Sequence, residues 1–311
     1  MPGARLETGE IREHYVRMIG GAPIGIPYSG TQRQRLAELD VQGNLVEGEF
    51  ESREERDRSF EEVQRLFTCD NLERLDDLRE HGRPALRRVG QAIADLLVAQ
   101  GFVEVTTPIK IGRGSLLKMG LHEQHPLWRQ IFWLDNARCL RPMLAPNLYF
   151  LLSHLTRIWP RPVRLFEIGP CFRDESEGAR HLSEFTMVNL VELGPEASEE
   201  ARLRELGENV MSALGLDYRI ESAASEIYGA SQDIVTTDGL EVASGVAGPH
   251  FLDEAWGIDE PWVGWGFGVE RLAMAAADSR QIHRFGRSLI YQDGARLNIQ
   301  RSAHQNVRKR D

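Results

Sequence analysis

An arginine and a glutamate at the end of a predicted strand could bind a nucleotide. Residues 166–175 (FEIGPCFRDE) are predicted to form a strand that ends in Arg173 and Glu175, and a polar loop at 176–183 follows. The guanidinium of arginine is planar and permanently charged, so it can bind phosphate oxygens through two parallel hydrogen bonds. This pattern therefore indicates a candidate phosphate site.

Residues 184–191 (EFTMVNLV) predict the strand that returns from this loop. Alternation of side chains places Phe185, Met187, Asn189 and Val191 on one face. That face is apolar with a single amide, as in a pocket that stacks an adenine at one end and hydrogen-bonds an amino-acid ligand at the other. A half-buried strand with one hydrogen-bonded asparagine would show the same pattern, so this segment alone leaves both interpretations open.

A later segment, residues 261–271 (PWVGWGFGVER), predicts a strand with one nearly bare face. That face carries Trp262, Gly264, Gly266 and Gly268. A flat ligand can lie close to a backbone without side chains, and Arg271 in the next helix could reach a nucleotide. Trp265 is expected to pack on the opposite side of the sheet. The glycines also touch a dinucleotide-binding fingerprint, but no βαβ unit surrounds them, and we reject that interpretation.

Glu241 and Ser244 lie on the preceding predicted strand. A carboxylate and a hydroxyl this close in sequence can supply oxygen ligands to Mg²⁺, which also binds water and substrate phosphates. Taken singly, an acidic residue on a strand is more often solvated or paired. The interpretation as a nucleotide site therefore depends on all three segments together.

The elements that must position these residues indicate an α+β fold. Strands dominate the middle of the chain without regular alternation with helices, which favours a mixed, mostly antiparallel sheet flanked by helices and argues against a Rossmann domain. Strands are predicted at 163–173, 184–193, 218–221, 232–236, 240–248 and 262–267, with a hairpin strand at 131–140. Helices are predicted at 84–100, 146–158, 198–214 and 268–277.

The amino-terminal part has a different texture. Residues 1–30 contain several glycines and prolines and are predicted to form a flexible arm. Residues 31–80 are acidic, with apolar residues at helical spacing, and predict an appendage of two or three amphipathic helices around a turn at 68–71. We assign residues 81–300 to a catalytic domain and 301–311 to a tail.

Composition limits the classes of protein that are possible. The chain has 311 residues, of which 41% are hydrophobic and 27% charged, and no apolar run approaches the ~20 residues that span a bilayer. Three widely spaced cysteines (Cys69, Cys139 and Cys171) predict neither a disulfide framework nor a zinc site, and a reducing cytoplasm fits best. The net charge of −10 counts against a nucleic-acid partner, although a basic patch can lie on an acidic protein.

Four segments together resemble the catalytic core of the pyrrolysyl-tRNA synthetases. They are residues 141–149 (RPMLAPNLY), 166–173 (FEIGPCFR), 181–190 (HLSEFTMVNL) and 266–272 (GFGVERL). The resemblance extends over roughly residues 31–298 and is densest from 140 to 193. It implies the catalytic fold of a class II aminoacyl-tRNA synthetase, in the form that lacks a separate N-terminal tRNA-binding domain, with residues 31–80 as the tRNA-binding appendage.

The resemblance also implies a role for each matching residue. Arg173 would bind the α-phosphate of ATP, Glu175 the adenine amino group and His181 the outer phosphates. Phe185 and Arg271 would sandwich the adenine, and Glu241 with Ser244 would hold Mg²⁺. The implied ATP-binding set is Arg173, Glu175, His181, Leu182, Phe185, Met187, Glu241, Val242, Ser244, Gly266 and Arg271. Arg173 and Arg271 are the implied catalytic residues.

The amino-acid pocket follows from the same resemblance. Asn189 would hydrogen-bond the amide carbonyl of the substrate side chain, and Tyr228 would lie over the substrate on a mobile turn. The implied lining is Ala145, Leu148, Tyr149, Leu152, Asn189, Val191, Tyr228, Val246, Trp262 and Gly264. The expected reaction is ATP-dependent activation of pyrrolysine, or a related bulky lysine derivative, and transfer to an amber-suppressor tRNA. A homodimer is implied, with the helix at 84–100 at its interface.

Two departures from the family pattern leave alternatives open. Asp174 stands where the family usually has lysine, and Trp265 replaces a small residue. The carboxylate of Asp174 and the acidic segment 31–80 motivate an alternative in which a different acid is activated and passed to an acceptor other than tRNA. A catalytically silent subunit is the third possibility. The residues whose joint presence argues against it are Arg173, Glu175, Glu241 and Arg271.

Overall fold

The computed structural model describes residues 25–41, 45–175 and 181–299. The chain divides into two compact units, one formed by described residues up to Gly82 together with 289–299, and the other by 83–288. Residues 289–299 thus group with the first unit, whereas the predicted division placed them in the catalytic domain. The predicted arm at 1–30 lies mostly outside the described residues, and the predicted tail at 301–311 lies wholly outside them.

The first unit is a small helical structure around its own core. Tyr28, Leu36, Phe50 and Val63 are buried in that core. Its elements are β1 (Ile26–Pro27), α1 (Gly30–Glu38), β2 (Glu49–Phe50), α2 (Arg53–His81), β12 (Tyr291–Gln292) and β13 (Ala295–Arg296).

Helix α2 runs without a break through residues 68–71, so the predicted turn there is wrong. The segment 53–81 contains neither glycine nor proline, and Gly82 in the left-handed conformation (φ 67°) ends the helix. Asn71, which suggested the turn, is fully buried, donates its side-chain amide to the Phe67 carbonyl at 2.7 Å, and accepts the Arg296 backbone N–H at 3.0 Å. A contact distant in sequence therefore overrides the local turn propensity.

Among the described residues, the second unit is built on a sheet of seven strands. Its strand order is β3-β6-β7-β11-β10-β9-β8, and every neighbouring pair except β3 and β6 is antiparallel. The strands are β3 (Val103–Glu104), β6 (Val163–Phe172), β7 (Glu184–Leu193), β8 (Tyr218–Ser225), β9 (Gly229–Thr236), β10 (Glu241–Gly248) and β11 (Trp262–Gly268). The predicted α+β class with a mostly antiparallel sheet is confirmed.

One face of the sheet is covered by three helices, and the main core lies between these helices and the sheet. These helices are α3 (Ala85–Ala99), α6 (Glu199–Leu214) and α8 (Val269–Ala276). Trp265 is 1% exposed in this core and donates its indole N–H to the Leu203 carbonyl at 2.7 Å, as expected from alternation. A Cβ at Gly245 would lie 2.6 Å from the indole and one at Gly207 3.0 Å from it, so these glycines leave room for the large ring.

A second core lies on the opposite face of the sheet and carries the shorter elements. These are β4 (Lys110–Gly112), α4 (Arg113–Lys118), β5 (Arg138–Leu140), α5 (Ala145–Leu155) and α7 (Asp253–Trp256). The hairpin strand predicted at 131–140 is shorter than expected, because the Asp135 carboxylate accepts the Ala137 backbone N–H at 2.9 Å and forms a turn. No described helix is long and apolar enough to cross a membrane.

A buried ion pair ties strand β6 to the segment before α5. Arg141 and Glu167 have side chains that are 2% exposed, and Arg141 Nη1 lies 2.7 Å from Glu167 Oε1. Arg141 also donates to the Pro170 carbonyl at 2.8 Å, while Glu167 accepts the Thr107 hydroxyl at 2.6 Å and its backbone N–H at 3.1 Å. Both charges therefore have partners, as burial requires.

Replacing Arg141 by methionine is expected to lower the free energy of unfolding by about 3–5 kcal/mol, because it leaves the buried Glu167 carboxylate without its cation. Urea unfolding followed by circular dichroism measures this loss. The matched control is R219M, which removes the exposed pair of Arg219 with Glu221 and should cost less than about 1 kcal/mol. Equal losses in the two variants would contradict the structural role of the buried pair.

Candidate active site

Two adjoining cavities open on the face of the sheet opposite helices α3, α6 and α8. We call them the inner cavity, of about 170 Å³, and the outer cavity, of about 390 Å³. Residues that line both are Arg173, Met187, Ser225, Ile227, Ser244 and Gly266. A ligand in one cavity can therefore meet a ligand in the other beside Arg173.

The inner cavity brings together the whole set of residues predicted for the amino-acid pocket. They are Ala145, Leu148, Tyr149 and Leu152 from α5, Asn189 and Val191 from β7, Tyr228, Val246, and Trp262 and Gly264 from β11. Sequence reasoning missed Met143, Leu190, Ser225, Ile227 and Trp265 in this lining. Ser225 and Ile227 belong to a hairpin turn whose first strand was predicted to end at residue 221, so they fell between predicted elements.

Aromatic side chains form a rigid floor under the inner cavity. Tyr149 stacks on Trp256 with ring centroids 5.5 Å apart and meets Trp262 edge-on at 5.6 Å. Asp253, which is 3% exposed, accepts hydrogen bonds from the Tyr149 hydroxyl at 3.1 Å and the Trp262 indole at 2.9 Å. Burial raises the pKa of Tyr149 above its ordinary value, so the phenol stays neutral. No sequence pattern pointed to Asp253.

Asn189 carries a polar atom that lacks a partner within the described chain. Its Oδ1 is buried and accepts no hydrogen bond among the described residues. The residue opposite it on β11 is Gly266, where a Cβ would lie 3.4 Å from Asn189 Nδ2 and 3.1 Å from the Met187 methyl. A buried acceptor without a partner costs free energy until a donor on a ligand bonds to it. Asn189 is therefore placed to read a polar group on a mostly apolar ligand.

The outer cavity brings together the whole set of residues predicted to bind ATP. The lining includes Arg173, Glu175, His181, Leu182, Phe185, Met187, Glu241, Val242, Ser244, Gly266 and Arg271. The lining residues that were not predicted include Ser231, Asp233 and Glu270. The two predicted arginines thus face the same cavity.

Arg173 is held rigidly at the junction of the two cavities. Its Nε donates to the Pro142 carbonyl at 3.0 Å, and its guanidinium lies 5.3 Å from the Phe185 ring centroid. Among the described residues the nearest carboxylate is that of Glu175, 3.8 Å away, which also bonds to His181. Burial lowers the pKa of Arg173 below the ordinary arginine value, but the group stays charged at neutral pH. A half-buried, partly compensated cation here favours an anionic ligand.

Arg271 is positioned by the start of helix α8. It donates to the Glu241 carbonyl at 2.9 Å and lies 3.3 Å from the Glu241 carboxylate. The neighbouring Glu270 is 1% exposed and accepts the Thr186 backbone N–H at 2.8 Å, which joins α8 to β7, and burial raises its pKa. Phe185 contacts Arg173, and the sandwich of an adenine between Phe185 and Arg271 stays a prediction.

Oxygen atoms on β9 and β10 fit the ligand preferences of Mg²⁺. Glu241 and Ser244 line the outer cavity, and Ser244 faces Asp233 in the strand register. Asp233 Oδ1 and Ser231 Oγ are buried without partners in the part of the chain that the structure describes. No group of three His, Cys, Asp or Glu among the described residues could hold a metal alone. A bound Mg²⁺ would therefore depend on phosphate oxygens and water as well.

The cysteines lie outside this chemistry. All three are free thiols, and Cys139 and Cys171 are buried. Burial raises the pKa of Cys139 to about 11 and that of Cys171 to about 12, so both stay protonated at neutral pH and neither is a reactive thiolate.

Comparisons with known proteins agree with this geometry. Residues 73–293 match the family model described as tRNA synthetases class II core domain (F). The solved pyrrolysyl-tRNA synthetase of Desulfitobacterium hafniense is 45% identical, with a TM-score of 0.83, over 89% of this chain and 100% of that one. A second structure of a pyrrolysyl-tRNA synthetase from the same organism is 44% identical, with a TM-score of 0.81, over 90% of this chain and 98% of that one.

More distant similarity connects the chain to curated tRNA ligases. An O-phosphoserine–tRNA(Cys) ligase of Methanocorpusculum labreanum is 26% identical over 180 residues, which are 53% of this chain and 33% of the relative. The matched part of the chain therefore spans about a third of the length of that relative.

Proposed function

Since the chain belongs to the pyrrolysyl-tRNA synthetase family of class II aminoacyl-tRNA synthetases, we propose that it activates pyrrolysine or a related bulky lysine derivative with ATP and transfers it to tRNA. One observation carries the proposal. A polar cavity lined by two arginines and an apolar cavity guarded by one amide meet at Arg173. This is the arrangement needed to bring the carboxylate of an amino acid to the α-phosphate of ATP.

In the first half-reaction the amino-acid carboxylate attacks the α-phosphorus. A new C–O–P linkage forms, the bond to the β-phosphate breaks, and aminoacyl-adenylate and pyrophosphate result. Because a carboxylate is already nucleophilic, no general base is needed, and catalysis comes from in-line positioning and charge stabilisation. Arg173 would neutralise charge on the α-phosphate, and Arg271 would orient the nucleotide. Glu241 and Ser244 would hold Mg²⁺, which supplies further positive charge to the phosphates when bound.

The inner cavity accounts for the proposed choice of amino acid. Leu148, Leu152, Val191, Val246 and the aromatic floor suit a long apolar side chain. The amide of Asn189 would hydrogen-bond a carbonyl within that side chain. A cavity of this kind excludes small amino acids because they lose these contacts, so no editing step is required.

In the second half-reaction a hydroxyl of the terminal adenosine of tRNA would attack the acyl carbon and release AMP. We assign the helices at 31–80 to tRNA binding. The alternative acceptor suggested by Asp174 is not favoured, because the solved and curated relatives are named as tRNA ligases. Asp174 is exposed, where solvent screens its charge, and its backbone N–H donates to the Gln130 carbonyl at 2.7 Å.

We also propose that two chains associate in the cytoplasm as a homodimer through helix α3. The exposed apolar side chains of Val98 and Val103, 57% and 44% accessible, lie at the end of this helix and just after it. Burial of such side chains against a second copy would remove apolar area from water.

Acylation of an amber-suppressor tRNA tests the proposed function. We expect radiolabelled or mass-shifted tRNA with pyrrolysine or an N-ε-acyl-lysine, ATP and Mg²⁺, and none with free lysine or with an elongator tRNA. Adenylate formation without any charging of that tRNA would contradict the proposed acceptor.

A further inference from the structure

The turn between β8 and β9 covers both cavities. Ser225 and Ile227 line both of them, while Glu226 lines the outer and Tyr228 the inner cavity. Within the turn, Ser225 Oγ accepts the backbone N–H groups of Ile227 and Tyr228, each at 3.2 Å. The turn is therefore placed to contact both the nucleotide and the amino acid.

Two histidines from different parts of the chain hold the backbone of this turn. His250, just after β10, has Nε2 2.6 Å from the Tyr228 carbonyl oxygen. His125, which caps the short 3₁₀ helix Pro126–Gln130, has Nε2 3.2 Å from the Glu226 carbonyl oxygen. Neither residue was singled out by the sequence patterns. The two contacts are on alternate carbonyls of the same turn.

The hydrogen bonds to the other ring nitrogens define the tautomer of both histidines. Nδ1 of His125 accepts the Leu127 backbone N–H at 3.1 Å, and Nδ1 of His250 accepts the Leu252 backbone N–H at 3.3 Å. A neutral imidazole that accepts at Nδ1 carries its proton on Nε2. Each ring is therefore a neutral donor aimed at a carbonyl of the turn.

His250 also connects the turn to the floor of the inner cavity. Its backbone N–H donates to Asp253 Oδ2 at 2.6 Å, and the same carboxylate binds Tyr149 and Trp262. Its ring meets the Tyr228 ring edge-on, with centroids 5.4 Å apart. The floor of the cavity and the residue that covers it are thus fixed to one another.

We propose that His125 and His250 are positioning residues that clamp the 225–229 turn over the bound substrates. The inference rests on the proposed function for its kinetic consequence, but the clamp itself exists without substrate. Without either hydrogen bond the turn samples open conformations. Ligand binding must then order the turn, and this entropy cost lowers the apparent affinity for the ligands that it covers.

The kinetic test compares donor-free and donor-bearing replacements in ATP–pyrophosphate exchange. H250F keeps an aromatic ring without a donor and should raise KM for the acyl-lysine about threefold to tenfold, the effect of one lost hydrogen bond, with kcat within about twofold. H250Q, whose amide can donate at similar reach, should restore most of the affinity. H125F and H125Q form the second pair, with the larger effect on KM for ATP because Glu226 lines the outer cavity.

Hydrogen exchange of the ligand-free protein tests the clamp apart from the activity. Peptides that cover 225–229 should exchange faster in H250F and H125F than in wild type or the glutamine variants. H154F is the matched control, because His154 is exposed on α5 and, among the described residues, its ring bonds only within that helix. The clamp would be overturned if hydrogen exchange at 225–229 and KM were unchanged in both phenylalanine variants. It would also be overturned if the glutamine variants were as defective as the phenylalanine variants. A wild-type protein that activates no amino acid would overturn the proposed function. The comparison of hydrogen exchange among the variants would then still test whether the clamp exists.

Discussion

Alanine at position 173 is expected to lower ATP–pyrophosphate exchange by about a thousandfold or more, with a smaller effect on KM for ATP. Arg173 is the cation at the junction of the two cavities, and its guanidinium is held in place by the Pro142 carbonyl and the Phe185 ring. The guanidinium would therefore stabilise the negative charge that develops at the α-phosphate without having to move. Removal of such a group acts mainly on kcat.

Two control variants accompany this test. One separates the charge of Arg173 from the geometry of its guanidinium, and the other removes an arginine away from the site. R173K keeps a positive charge without the planar fork and should recover only part of the activity, since arginine and lysine are not equivalent at such sites. R219A removes an exposed arginine on β8 and should leave exchange unchanged. Near-normal exchange in the alanine variant would show that another group stabilises the α-phosphate.

Replacing Asn189 by leucine is expected to change which side chains the enzyme accepts. The specificity constant for an N-ε-acyl-lysine should fall about tenfold to a hundredfold, because the substrate carbonyl then enters the cavity without a partner. The leucine variant should activate an alkyl analogue of equal length, without the amide, better than wild type does. Exchange assays with the two substrates measure the change.

The isosteric variant N189D makes this test sharper. An aspartate has no N–H to donate and repels a carbonyl oxygen, so it should lose the acyl-lysine as leucine does, without gaining the alkyl analogue. Because Oδ1 of Asn189 has no partner among the described residues, the leucine variant should unfold no more readily than wild type. Undiminished use of the acyl-lysine by both variants would exclude a side-chain amide contact at this position.

Alternation along single strands could be predicted from the sequence. Met187, Asn189 and Val191 line the inner cavity, while Val188 and Leu190 lie in the helix-covered core, as expected for a strand with two different environments. The bare face of β11 and the packing of Trp265 in the helix-covered core follow from the same rule. These features depend only on neighbours along one strand.

Features that depend on contacts distant in sequence could not be predicted in this way. Asp253 and His250 act through Tyr149 and Tyr228, which are 104 and 22 residues away, and no local spacing reveals such pairs. Ser231 was missed because β9 begins at Gly229 and was predicted to begin at 232. Asp233 lay within the predicted strand, but its place beside Ser244 depends on the pairing of β9 with β10. The unbroken helix through Asn71 has the same origin, since its partner is Arg296.

A crystal structure with a non-hydrolysable ATP analogue and an N-ε-acyl-lysine bound would test the central claim most directly. We expect the α-phosphate within about 3 Å of the Arg173 guanidinium, the nucleotide in the outer cavity, and the acyl carbonyl hydrogen-bonded to Asn189 in the inner one. Phosphates bound away from Arg173, or an amino-acid side chain outside the inner cavity, would contradict it.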